Sequence, residues 1–274
     1  MFDVQLQQPQ QTVDQIISFI SETYQRANKK QAIVAVSGGI DSALSLTLAT
    51  EALGPKNIWP LFLPYKNQSI EDSIAITAVN GIPKSHWRTI QIDSIVSGLE
   101  QAVREKSSKE MSAVRKGNAM ARARMMVVYD VAKELNALVC GTENKSEKYL
   151  AYFTRFGDEA SDVEPIQHLY KTQVRQVATF LRLPEQFVTK APSAGLWDGQ
   201  TDENELGFSY EQADQVIEGF LQEIKQVENI TQLAAVTISQ KTELDLPIVE
   251  AVLKRIKNNH FKHEVPYTIH ETHE

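Results

Sequence analysis

Six residues, Ser37-Gly38-Gly39-Ile40-Asp41-Ser42, combine the types needed to hold a polyphosphate. Ahead of them Ala32 to Val36 is an apolar, β-branched run that reads as a strand, and Ser42 to Leu53 reads as a helix ending at Gly54-Pro55. A strand-to-helix turn gathers backbone N–H groups and a helix N-terminus around one small space, which suits an anion. Gly38 and Gly39 allow left-handed backbone angles and close approach of a phosphate, while Ser37 and Ser42 add hydroxyl donors. Asp41 is the odd member. A carboxylate beside a phosphate is repelled unless a cation lies between them, so Asp41 predicts Mg²⁺ bridging the two. The competing reading is a plain strand–turn–helix in which Asp41 only complements the helix dipole.

The loop lacks the Gly-Lys-Ser/Thr ending of a Walker A sequence. It resembles the S-G-G-x-D-S loop of the N-type ATP pyrophosphatases, which bind the pyrophosphate of ATP and release it after adenylating a carboxyl or carbonyl oxygen. Further along stand K-G-N-A-M-A-R-A-R-M at 116–125, G-T-E-N-K-S-E at 141–147, Y-F-T-R-F-G-D at 152–158 and K-A-P-S-A-G-L at 190–196. In this order and spacing, from the first strand to Pro266, they resemble ammonia-dependent NAD synthetase. The resemblance implies conversion of nicotinate adenine dinucleotide (deamido-NAD) to NAD with ATP, Mg²⁺ and ammonia. It further implies an adenylated dinucleotide intermediate, release of AMP and pyrophosphate, and a homodimer.

Carried over position by position, the resemblance assigns ATP to Ala35, Val36, Ser37, Gly38, Gly39, Ile40, Asp41, Ser42, Thr142, Lys171 and Ser193. It assigns Mg²⁺ to Asp41 and Glu147, and deamido-NAD to Arg122, Arg155, Asp162, Phe261 and Lys262; Asp41 and Lys171 carry the catalysis. Each residue also has a plainer reading. Arg122, four residues after Asn118 on one helix face, is otherwise a solvated arginine; Glu147 is a surface charge at a helix start; Asp162 is a loop cap; the aromatics of Y-F-T-R-F-G-D, Tyr152, Phe153 and Phe156, are core. Two departures stand out: Arg155 replaces the lysine of many members, and Phe261 falls where the family has histidine, so that either His260 substitutes or the contact is missing. His263, His270 and His273 are expected on a solvated tail without metal-ligand spacing.

These residues need a scaffold. Strands expected at Ala32–Val36, Ile58–Leu63, Trp87–Ile92 and Ala137–Cys140 alternate with helices near 11–28, 42–53, 71–80, from 94 and over 117–136. Strands apolar on both faces and separated by helices imply an α/β fold, a doubly wound parallel sheet covered on both sides, of the adenine nucleotide alpha-hydrolase type by resemblance. A helical C-terminal part follows, with helices near 145–151, 172–182, 210–224 and 246–258. The polar stretch from Asp198 to Gly207 reads as a mobile loop closing over the site. Without a repeat or a Pro/Gly/Ser linker, residues 1–274 read as one domain.

Composition narrows the function. A formal net charge of −7 argues against non-specific nucleic acid binding, and no segment approaches the ~20 apolar residues of a membrane span. The single cysteine, Cys140, excludes an intrachain disulfide framework and is expected at a buried strand end; with no leader-like N-terminus, a cytoplasmic protein is expected. The chain begins almost at once with the synthetase-like region and offers no second cysteine for a glutaminase, so free ammonia is the expected nitrogen donor. Two other classes are weighed: a tRNA-modifying ATP pyrophosphatase, disfavoured by acidity, and a nucleotide-binding regulator without turnover, disfavoured by the paired carboxylates Asp41 and Glu147.

Overall fold

Four strands form an all-parallel sheet in the order β3–β2–β1–β4, from Ala32–Ala35 (β1), Ile58–Phe62 (β2), the polar pair Arg88–Thr89 (β3) and Leu138–Val139 (β4). The computed structural model describes residues 2–106, 110–193, 199 and 201–267. Each strand is shorter than its apolar run, yet the ladder continues past the regular geometry. Val36 N–H donates to Leu61 O at 2.9 Å, Ile90 N–H to Phe62 O at 2.9 Å and Cys140 N–H to Ile33 O at 2.8 Å. Pro60 sits inside β2 without breaking it. Because Leu61 O faces β1 and Phe62 O faces β3, the N–H that Pro60 lacks would point towards β3, where pairing begins only at Leu61.

Helices Pro9–Arg26 (α1), Ile40–Leu53 (α2), Glu71–Val79 (α3), Asp93–Arg104 (α4) and Ala113–Glu134 (α5) fall between or ahead of the strands. After β4 come Lys145–Leu150 (α6), Lys171–Phe180 (α7), Glu185–Thr189 (α8), Asp202–Leu206 (α9), Tyr210–Gly219 (α10), Gln232–Thr242 (α11) and Leu246–Asn259 (α12). Side-chain alternation along β1 sorts the core. Ala32 and Val34 pack with Ile16 and Ile20 of α1, Leu44 and Leu48 of α2 and Val174 and Val177 of α7. Ile33, on the opposite face, packs with Val96 of α4 and Met120, Ala123 and Val128 of α5. The doubly wound layout follows, with a buried layer on each face.

A third core lies in the C-terminal half, where Val216 and Ile217 of α10, Ile238 of α11 and Val249, Val252 and Leu253 of α12 meet Phe2 and Val4 from the N-terminus. Helix α11 is absent from the sequence-based expectation because its β-branched residues blur the helical period; Ala235, Ile238 and Thr242 nevertheless form a buried stripe. The expected loop from Asp198 to Gly207 is partly helical: Thr201 caps α9, and Gly207 ends it at φ 82°. Asp198 and Gln200 of that stretch, and His270 and His273 of the expected tail, lie outside the described residues.

Candidate active site

β1 has β2 on one side and β4 on the other, so the loops leaving β1 and β4 flank a topological switch point, where open α/β sheets form a crevice. Both loops carry residues singled out above. In the first, Ser42 Oγ accepts from Ser37 N–H at 3.1 Å, donates to Gly39 O at 3.0 Å and lies 3.0 Å from Ser37 Oγ. The two hydroxyls expected to face phosphate thus brace the turn itself. Gly38 has φ +81°, and a Cβ there would stand 3.1 Å from Asp72 Cβ. Gly39, by contrast, has φ −90° and does not use the left-handed freedom that glycine allows: as N-cap of α2 it is extended backbone, open to any residue type.

The second loop closes on the first through Asn144. Its side chain accepts from Glu147 N–H at 2.9 Å while Glu147 Oε2 accepts from Asn144 N–H at 3.4 Å, a reciprocal cap on α6. The same amide donates from Nδ2 to Asp41 Oδ1 at 2.9 Å. Between the two carboxylates lies Lys171, the first residue of α7 and 2% exposed, with Nζ 2.5 Å from Asp41 Oδ2 and 3.0 Å from Glu147 Oε1. One ammonium cannot balance two carboxylates. Burial, reinforced by the charge of Asp41, pushes Glu147 up to about 8, although Lys171 pulls the other way. Burial works against a charge on Lys171, yet Asp41 and Glu147 together hold it above the ordinary lysine range.

Support for Lys171 comes from residues that sequence reasoning missed. Its ammonium stands 5.2 Å from the Tyr210 ring centroid, and the Tyr210 hydroxyl donates to Asp202 Oδ2 at 3.1 Å. Its backbone N–H donates to Ser146 Oγ at 2.8 Å, and Ser146 Oγ donates to the buried Asp214. Asn144 could have been found from N-x-x-E, the capping-box pattern; Tyr210 and Asp214 sit in a stretch with no local signature.

A second cluster forms where the Y-F-T-R-F-G-D segment lies on α5. Thr154 Oγ1 donates to Asn118 Oδ1 at 2.8 Å, and Arg122 donates from Nε and Nη2 to Arg155 O at 3.3 and 3.1 Å. Asn118 and Arg122 therefore share the face their spacing implied. Arg124 points elsewhere, to Leu63 O at 3.0 Å. Arg155 reaches Glu264 O at 3.1 Å, and Lys262 donates to Ala151 O and Phe153 O, each at 2.8 Å. Phe156 and Phe261 are exposed, so the core reading fails for Phe156. His263 is not on a solvated tail: Nε2 lies 2.6 Å from Lys148 O beneath the Phe153 ring. His260 pairs with Glu264 at 3.5 Å, and Asp162 Oδ2 accepts from Val139 N–H at 2.8 Å, docking its loop on β4.

Thr142 follows Gly141 at the mouth of the crevice, and Glu147 is not the surface charge of the plainer reading, with a side chain only 18% exposed. Ser193 is reached through its own segment. Lys190 Nζ lies 2.6 Å from Asp72 Oδ2 and 3.4 Å from Gly38 O, tying 190–193 to the glycine turn, and Asp202 N–H donates to Pro192 O at 3.0 Å. The residues that could hold a metal are Asp41 and Glu147; among the described residues no group of three or more His, Cys, Asp or Glu gathers. Two carboxylates already crowded around a cation fit Mg²⁺, a hard ion that keeps waters and takes its other oxygens from substrate phosphates.

The NAD synthase family model matches residues 12–266. The NH₃-dependent NAD⁺ synthetase of Fusobacterium nucleatum subsp. nucleatum is 36% identical over 253 residues, covering 92% of this chain and 93% of that one. Among solved structures, the chain is similar to NMN synthetase from Francisella tularensis (30% identity, 95% and 98% coverage, TM-score 0.80). It is also similar to the NH₃-dependent NAD synthetase of Campylobacter jejuni in complex with the nitrate ion (28% identity, 96% and 99% coverage, TM-score 0.73). The sheet order, the glycine turn and these likenesses agree in placing the protein among enzymes of one adenine nucleotide alpha-hydrolase-like architecture: the chain belongs to the NAD synthase family.

Proposed function

We propose that the chain amidates deamido-NAD to NAD with ATP and ammonia, through an adenylated dinucleotide, releasing AMP and pyrophosphate. The observation that supports it best is the Asp41–Lys171–Glu147 bridge at the switch point beside the Ser37–Gly39 turn. In this reading the turn and the N-terminus of α2 seat the phosphates, and Lys171 faces the charge that builds on the leaving pyrophosphate. Asn144 keeps Asp41 oriented by its amide. Mg²⁺ held by Asp41 and Glu147 would supply neutralisation of the polyphosphate. Arg122, Arg155 and Lys262, cationic and gathered around the 151–157 backbone, are assigned to the dinucleotide together with Asp162 and Phe261. Thr142 and Ser193 are assigned to ATP. No covalent nucleophile is needed, because carboxylate attack on the α-phosphorus and ammonia attack on the adenylate both rely on positioning.

We further infer one synthetase domain over residues 1–274, a homodimer and a cytoplasmic location; among the described residues no helix is long and apolar enough to cross a membrane. A tRNA-modifying activity is not favoured, since the family match runs through nearly the whole chain. Because one structural neighbour carries the name NMN synthetase, nicotinate mononucleotide is the comparison substrate. Purified chain incubated with ATP, Mg²⁺, ammonia and either nucleotide is expected to make NAD from deamido-NAD at the higher kcat/KM, with one AMP per amide formed. ADP and orthophosphate in place of AMP would sink the proposal.

A further inference from the structure

Asp214 is fully buried in α10, and all the partners found for it stand at the first turns of two other helices. Oδ1 accepts from Ser146 Oγ, in the first turn of α6; Oδ2 accepts from Thr172 N–H at 3.0 Å and from Thr172 Oγ1 at 2.8 Å, in the first turn of α7. Ser146 precedes the carboxylate-bearing Glu147, and Thr172 follows Lys171. The Ser146 hydroxyl also receives Lys171 N–H at 2.8 Å, so the network returns to the backbone of the lysine itself. One turn before Asp214, and hence on the same side of α10, Tyr210 places its ring 5.2 Å from Lys171 Nζ.

A buried carboxylate accepting hydrogen bonds from two helix starts fixes their separation, because a donor left there without a partner keeps the full cost of its lost hydration. We propose that Asp214 is the positioning residue that sets Lys171 between Asp41 and Glu147, with Tyr210 beneath the ammonium as its second support. Helix α10 then governs where the catalytic cation stands, although α10 contributes no group that touches Asp41 or Glu147 by a hydrogen bond or ion pair found here. The kinetic effect presupposes the amidation reading above; the effect on the position of the ammonium does not.

The substitutions that test it are D214N, S146A and T172V in the full chain. In D214N the amide oxygen can still accept from Thr172, but towards Ser146 the amide can only donate, so the Ser146 hydroxyl loses its acceptor and the bond that remains must run in the opposite direction. With wild type shown to form AMP and pyrophosphate, D214N is expected to lower kcat about 10–100-fold while the KM for ATP changes less than about threefold. S146A, which also takes the acceptor from Lys171 N–H, should fall in the same direction, and the double variant should be no slower than the slower single variant within about twofold, since both act on the same arm. Wild-type kcat in D214N, or additive losses in the double variant, would overturn the proposal. An activity-independent measurement separates it from the functional reading. In a crystal structure of D214N, Lys171 Nζ should leave hydrogen-bond distance of at least one of Asp41 and Glu147; retention of both contacts refutes the role whatever the protein catalyses. If D214N does not fold, the S146A and T172V structures decide by the same criterion.

Discussion

At the scale of single residues, Lys171 offers one charge to two carboxylates, and its replacement shows what that charge does. Lys171→Met is expected to slow pyrophosphate release by about 10²–10³-fold, the usual cost of removing one donor aimed at developing charge, checked by single-turnover AMP formation. Asp41→Asn should weaken metal-dependent adenylation far more than dinucleotide binding, measured by calorimetry beside kinetics; equal losses would contradict its role. A third residue predicts pH dependence. Burial first, then the nearby Glu164, pushes Glu143 from the ordinary 4.5 up to about 8, and among the described residues its Oε1 has no hydrogen-bond partner. The folded state thus holds a proton that the unfolded chain gives up. The stability this supplies is complete below pH 4.5 and disappears as pH climbs to about 8. Glu143→Gln, a neutral stand-in for the acid, should therefore raise Tm at pH 8 more than at pH 5. Asp41 and Glu147 were legible in the sequence from their motifs, and Lys171 only through the family resemblance. Asp214 and Tyr210 were not, because their importance arises only when α10 packs behind α7.

Elements impose their own tests. The turn between β1 and α2 distinguishes its two glycines: Gly38 alone has positive φ and alone crowds Asp72. Gly38→Ala should cost about 1–2 kcal/mol from the left-handed backbone, seen in urea unfolding, and weaken ATP binding as well. Gly39→Ala should leave stability within about 0.5 kcal/mol and affect ATP binding only, because its φ of −90° suits alanine. A similar loss in both variants would refute this division. The start of α6 carries its own consequence. Asn144→Ala removes a cap, about 1 kcal/mol, and frees Asp41 in the same stroke, so stability and kcat should fall together. Helices with a clear apolar stripe, such as α1 with Val13, Ile16, Ile20 and Tyr24 buried, were readable from spacing. α9 and α11 were not, since one is short and polar and the other is rich in β-branched residues that propensity assigns to strands.

For the molecule as a whole, the alternation of strands and helices up to Val139 made the parallel sheet legible, because each element there buries residues against its neighbours in sequence. The C-terminal layer was only partly legible: its core recruits Phe2 and Val4 from the far end of the chain, and no local period announces that contact. The proposed homodimer belongs to this scale. Val114 and Met126 on α5, with Phe156 and Tyr267, are large apolar groups left exposed on one chain, at 60%, 52%, 52% and 64% respectively. Sedimentation should give twice the 30.8 kDa chain mass, and Met126→Glu should shift it towards one chain. Finally, the lone thiol of Cys140, 1% exposed and hydrogen-bonded through its backbone to Ile33 of β1, makes the protein its own reporter. A maleimide can reach that sulfur only when the packed layer between the β4 end of the sheet and its covering helices opens, so the alkylation rate clocks the loosening of the core beside the strand that leads into the glycine turn. Nucleotide that clasps the turn should slow the clock.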